Sequence, residues 1–274
     1  SANFISTYNF YFHKQYYLIK YYFVSKINSI RKTSFLVFIL PFLSVNICLI
    51  LSQIFIYIDT GLPETSGSFF YNLKLFDVGD AISEKGLPWI IPYIDGVASI
   101  SRVVRVYPNY LIFKPAMFIT GFMLIRYWVL NKNLINDLEI KHKDINKCLY
   151  FGISSAIFLI LHSIFLGIKF DFAIYKLFRR LILLLFIIFE ITAQFYLIKI
   201  FIENKEKLKS LIKIKFLILK KFLVYSLILA AILIFPFLPF NNLKILKHML
   251  EWNYFMGVIT FYLLTFFMWK KSHN

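Results

Sequence analysis

Leu177–Ile198 reads LFRRLILLLFIIFEITAQFYLI, a run of apolar residues with two arginines at its start and a single carboxylate, Glu190, near its middle. Roughly 20 consecutive apolar residues make one helical crossing of a bilayer, and this run has that length. Backbone left unpaired in hydrocarbon is too costly, and no alternation of apolar and polar residues suggests a barrel strand, so the run is predicted to be a helix. Five more runs of the same kind lie at Ser34–Ile58, Tyr110–Leu130, Cys148–Ile168, Phe222–Phe240 and Met249–Trp269. The fold class expected is all-α: a polytopic membrane protein with a bundle of six transmembrane helices and a long ordered first outer loop.

Composition points the same way. A hydrophobic fraction of 59% and a mean hydropathy of +0.70 over 274 residues exceed ordinary soluble usage, which is about half apolar. The 33 Phe and 18 Tyr, beside abundant Ile, Lys and Asn, also carry the coding bias of an AT-rich genome, which weakens arguments from any single Phe, Ile or Lys. The formal charge of +17 would suggest nucleic acid in a soluble protein. Here the cations sit mainly in short connectors between apolar runs, where they set orientation and face anionic headgroups, so no nucleic-acid partner is expected. Cys48 and Cys148 have neither metal-ligand spacing nor a disulfide framework, and leave the redox compartment open.

With the N-terminus in the cytoplasm, twenty of the 31 basic residues fall on the cytoplasmic side, among them Arg31, Lys147, Lys199, Lys220, Lys221 and Lys270. The bias predicts both termini in the cytoplasm. Residues 1–33 mix Tyr and Phe with lysines and lack a small-residue cleavage site; they are expected to be a cytoplasmic or interfacial amphipathic segment preceding a transmembrane domain over 34–274. The basic Glu203–Lys221 connector is expected to lie on the anionic leaflet.

The outer loop, residues 59–109, holds five of the nine glycines, four of the eight prolines and six acidic residues. Loops of this length in compact proteins are usually functional. Its turn formers include Gly61-Leu62-Pro63, Gly86-Leu87-Pro88 and Pro92-Tyr93-Ile94-Asp95-Gly96. The last of these, together with His248, Glu251-Trp252 and Tyr262-Leu263-Leu264-Thr265-Phe266 in the final run, resembles the six-span family of the DRAM autophagy modulators and the FRAG/SFK-like membrane proteins of GPI-anchor lipid remodelling. Asp95 stands where that family usually has Ser. The resemblance covers span number, loop order and two short motifs. It implies a role in lipid handling or membrane trafficking without established catalysis.

Ionic residues inside or at the edges of spans are costly there and are functional candidates by default. Asp95, Arg102, His162, Arg179, Arg180, His248 and Glu251 all map to the outer ends of the predicted helices, and together form a candidate site for a phosphate-bearing lipid headgroup. Arginines supply forked hydrogen bonds to phosphate oxygens, and Arg102, Arg179 and Arg180 lead the set. The simpler reading is that these residues snorkel to the headgroups. His248 and Glu251, at i and i+3, share a helix face, and with His162 a catalytic or zinc-type site is conceivable, although no HExxH spacing supports it. Glu190 and Gln194 form an intramembrane polar pair on one face, expected to bond between helices with partners such as Asn46 or Gln53, or else to mark a proton path. Pro41, Pro236 and Pro239 are expected to kink or end helices. No cofactor is called for.

Three functions follow. The first is a lipid-handling or trafficking protein whose partners are membrane lipids. The second is an accessory subunit of a respiratory or photosynthetic membrane complex. The third is an intramembrane lipid-modifying enzyme, which would need His162, His248 and Glu251 in mutual reach.

Overall fold

Each apolar run satisfies its own amides and carbonyls by coiling, and the described residues are almost entirely helical as a result. The computed structural model describes residues 2–60, 91–96, 98–105, 107–166, 168, 173–234 and 244–270. In chain order the helices are α1 (Ala2–Thr60), α2 (Pro92–Asp95), α3 (Ile100–Val104), α4 (Asn109–Asp137), α5 (Ile145–Phe165), α6 (Ala173–Glu203), α7 (Lys205–Leu208), α8 (Ile214–Ile234) and α9 (Lys244–Met268). Among the described residues there is no strand, only one antiparallel bridge between Ile212 and Trp269.

Five helices are long and apolar enough to cross a membrane: α1 over Tyr22–Gln53, α4, α5, α6 over Leu177–Glu203, and α8 over Ile214–Leu233. The final helix, α9, has 25 residues but is not among the five. Helix boundaries differ from the expected runs by several residues throughout, most at two starts. α1 runs without interruption through residues 33 and 34 and through Pro41, so no break in the helix separates the N-terminal segment from the first crossing. α8 starts at Ile214 rather than near Phe222, which brings Lys220 inside the helix; the lysine pair Lys220-Lys221 looks like a connector but sits within the apolar run. The turns at Gly61–Pro63 and Gly86–Pro88, and the prolines 236 and 239, lie outside the described residues.

The long helices pack as a closed ring in the order α1, α4, α5, α6, α8, α9 and back to α1, with additional contact between α6 and α9. Successive helices run in opposite directions, so the ring has two distinct ends. One, the lysine end, gathers the part of α1 around Lys26, the end of α4, the start of α5, the end of α6 and the end of α9. There Lys26 pairs with Asp137, and Asp144 accepts from Lys199 at 2.8 Å and pairs with Lys147 at 3.3 Å. His142 lies 2.7 Å from Glu203. The hydrogen bond from Lys199, helped by Lys147, outweighs desolvation and holds the Asp144 carboxyl below its ordinary 3.8. Backbone bonds from Lys213 to Met268 and from Lys270 to Leu211 tie the end of α9 to the connector before α8.

The interior is aromatic and close-packed. Tyr127, Trp128 and Tyr262 meet edge to face, with ring centroids 4.9–6.5 Å apart. Trp128 can sit between α4 and α5 only because residue 152 is glycine: a Cβ there would lie 2.4 Å from the indole. The outward faces of the long helices carry Leu43, Phe122, Tyr150, Leu184, Phe222 and Leu229, all exposed, as expected of surfaces that meet lipid.

Candidate functional site

At the end of the ring opposite the lysines, the last part of the segment between α1 and α4 is fastened to α9. α2 begins with Pro92 at its first turn, where a missing N–H costs nothing, and ends on Gly96, whose left-handed conformation (φ 62°) closes the turn onto the Pro92 carbonyl. A Cβ on Gly96 would also lie 2.0 Å from the Ile245 carbonyl oxygen, so the backbone of α9 passes directly against it. Trp252 donates from Nε1 to the Ala98 carbonyl at 2.8 Å, and Asn253 donates to the Tyr93 carbonyl at 2.8 Å. His248 Nδ1 lies 3.1 Å from the Gly96 carbonyl, an arrangement that places the ring proton on Nδ1. The Tyr93 ring stands edge-on to Trp252, with centroids 4.9 Å apart.

The same segment reaches the other side of the ring. The Tyr93 hydroxyl donates to Asn46 of α1 at 3.0 Å, and half-burial holds that phenol above its ordinary 10.0. α3 is capped at its start by the Ser99 hydroxyl, which accepts from the Arg102 amide, while the Glu251 carboxylate accepts from the Ile100 and Ser101 amides. Asn109, the first residue of α4, places its Nδ2, with two protons, within 2.7–3.0 Å of the Val103 and Cys48 carbonyls and the Ser52 hydroxyl, joining α3, α1 and α4. We refer to residues 91–105 and their partners as the clasp.

Of the residues expected at a headgroup site, the clasp collects Asp95, Arg102, His248 and Glu251. Asp95 accepts from the Ile91 amide at 2.5 Å, and Arg102 lies half-buried on α3. Arg179, Arg180 and His162 lie where α5 hands over to α6. Arg179 sits over the Tyr175 ring at 5.9 Å and within electrostatic reach of His162, and Arg180 is exposed. Both groups are at the clasp end, on different helices: α3 packs on α1, α4 and α9, and the start of α6 packs on α5. Among the described residues no three His, Cys, Asp or Glu side chains stand close enough to hold a metal ion, so His162, His248 and Glu251 do not form a zinc-type set.

Glu190 and Gln194 occupy a different depth. Both are fully buried at mid-ring, and their partners are not Asn46 or Gln53 but residues of α5 and α9. Ser155 lies 2.7 Å from Glu190 Oε2; Gln194 donates to Oε1 at 2.8 Å, and the Tyr262 hydroxyl also bonds Oε1. Asn46 instead bonds Tyr93 because α1 and α6 are not neighbours in the ring. Beside this group lies a second. Lys220 of α8, with no exposed surface, donates to Thr265 Oγ1 at 2.7 Å, and its ammonium stands 3.8 Å from the Phe261 ring centre. Tyr127 lies 3.2 Å from the same Thr265 oxygen, and its ring touches that of Tyr262. A carboxylate and an amine are thus sunk in one interior, each held by neutral hydroxyls.

Comparison with protein-family models, curated proteins and solved structures returns no match. Sequence reasoning singled out Glu190 and Gln194 but missed Lys220, Ser155 and Tyr127. For Lys220 a signal existed: Leu217, Lys220, Val224 and Leu227 are all buried, at the 3-4-3 spacing of one helix face, while Lys221 is exposed.

Proposed function

We propose that this chain is an integral membrane protein of the lipid-handling or trafficking type, with α9 as a sixth crossing and both termini cytoplasmic. It binds a phosphate-bearing lipid headgroup at the clasp end and carries out no covalent chemistry there. The observation that carries this reading is the clasp itself. Three donors from one turn and a half of α9 fasten the loop backbone, and the fastened segment presents Arg102 at the same end of the ring as Arg179 and Arg180. Held in place before a ligand arrives, such cations lose less entropy on binding. Of the residues that carry the DRAM-type resemblance, Pro92–Gly96 touches His248 and Trp252, which supports the same assignment, while Tyr262–Phe266 lies apart from them at mid-ring.

The test is phospholipid retention. Protein purified in mild detergent and analysed by native mass spectrometry should carry anionic phospholipid, and the Arg102→Ala/Arg179→Ala/Arg180→Ala triple variant should lose most of it. Equal occupancy in the triple variant would reject the headgroup site. Recovery of the chain only inside a multi-subunit particle would favour the accessory-subunit reading instead.

A further inference from the structure

The mid-ring interior, separate from the clasp, carries chemistry that headgroup binding does not use. We propose that Glu190 is a proton-exchange site, loaded through the end of the ring that bears Asp144 and Lys199.

The hydrogen bonds around Glu190 accommodate either form of the carboxyl. Ser155 Oγ lies 2.7 Å from Glu190 Oε2 and 2.8 Å from the Gly152 carbonyl, yet the hydroxyl has only one proton. When Glu190 is ionised, Ser155 donates to Oε2. When a proton binds Oε2, that oxygen becomes the donor to Ser155, and the Ser155 proton turns to the Gly152 carbonyl. Oε1 keeps its bonds from Tyr262 and Gln194 throughout. Uptake thus adds one proton, rotates one hydroxyl and leaves no partner unsatisfied, whereas a purely structural carboxyl would need only one arrangement.

The other titratable groups around the site are placed on every neighbouring long helix. Cys148 on α5 lies within electrostatic reach of both Glu190 and Lys220; Tyr127 on α4 lies within reach of Glu190, and Tyr262 on α9 bonds it. Lys220 on α8 joins through Thr265, whose own proton goes to the Phe261 carbonyl, so that Tyr127 and Lys220 both donate to Thr265. The short α7 contributes only exposed charges, Lys205, Glu206 and Lys207, at the lysine end.

Buried acceptors with no hydrogen-bond partner among the described residues include Asn109 Oδ1 at the clasp end; the route is marked by two others, Gln194 Oε1 and Asn131 Oδ1. Each lies four residues, or about 6 Å along its helix, from Glu190 and Tyr127 respectively. Both helices run toward the lysine end, so the backbone positions of Gln194 and Asn131 lie on that side of Glu190 and Tyr127. Buried polar atoms of this kind are where internal water binds, and five residues beyond Gln194 stands Lys199, bonded to Asp144.

The experiment uses the full chain in phosphatidylcholine vesicles and infrared difference spectra taken between about pH 3 and 11, a range that spans ordinary carboxyl and amine values. A protonated-carboxyl band should appear and titrate in the wild type and be missing in Glu190→Gln. Ser155→Ala, a milder change that keeps the carboxyl, should retain the band with a shifted midpoint. Asn131→Leu should leave the midpoint in place and slow the band's appearance after a pH jump by tenfold or so. The site is overturned if no titrating band exists, if Glu190→Gln keeps it, or if Ser155→Ala titrates like the wild type. An unchanged rate in Asn131→Leu overturns the route.

Discussion

Gly96→Ala should open the clasp. Two costs combine at this position. The residue has φ 62°, a left-handed conformation that costs an L-alanine about 1 kcal/mol relative to glycine. The added Cβ would also come within 2.0 Å of the Ile245 carbonyl oxygen, which belongs to the backbone of α9 and cannot swing aside as a side chain would. Forcing extra volume into such a contact costs about 1–3 kcal/mol. The sum, about 2–4 kcal/mol, falls on the segment that includes α3 and is read by amide hydrogen exchange. Protection at Val103 and Val104 should drop about 30- to 700-fold at 1.4 kcal/mol per decade, with little change in the interior of α5. Gly96→Asn separates the costs, because Asn tolerates the left-handed region but still carries a Cβ. Its loss of protection should be about fivefold smaller than that of Ala, with the clash still felt. Exchange within about threefold of the wild type in both variants would refute the close approach of α2 to α9.

Two further outcomes follow from the lysine end and the mid-ring. Because the folded Asp144 carboxyl titrates below its ordinary 3.8, the unfolded chain binds the proton more readily. Its stabilising contribution is complete at neutral pH and fades only as the pH falls below about 4; circular dichroism of Asp144→Asn should show less acid dependence than the wild type, and an identical acid profile would refute the pairing. Lys220→Met replaces the amine with an apolar chain of similar length and leaves Thr265 still accepting from Tyr127, so detergent thermal stability should change by less than about 1.5 kcal/mol, whereas Lys220→Glu should prevent folding. A large loss in Lys220→Met would mean that the ammonium is required by the fold.

The helices were legible because hydrocarbon leaves the backbone no other choice, and the runs at Tyr110–Leu130, Cys148–Ile168 and Leu177–Ile198 lie almost wholly within α4, α5 and α6. What could not be read was which helix neighbours which. Glu190 and Gln194 were recognisable as a polar face, but their partners depend on ring order, and a hydropathy pattern is the same whether α6 lies beside α1 or between α5 and α8. The clasp shows the same limit. His248 is 152 residues from Gly96, and although each segment stands out locally, nothing in either specifies their contact. Charge counting failed at Lys220 for a different reason: adjacent lysines end a crossing if both reach water, but on a helix they point about 100° apart, and here one faces in and the other out.

The case of α9 shows why hydropathy alone ranks it below the other five. Its polar residues recur along the face it turns to the ring: Glu251 and Trp252 against the clasp, and Tyr262 and Thr265 at mid-ring. A helix whose polar groups are paired with protein need not be as apolar as one whose groups face lipid, because hydrocarbon penalises only what is left unpaired. Substituting these positions with leucine would make α9 look like a better crossing. It would also remove both the fastening of the clasp and the hydroxyls that hold Glu190 and Lys220.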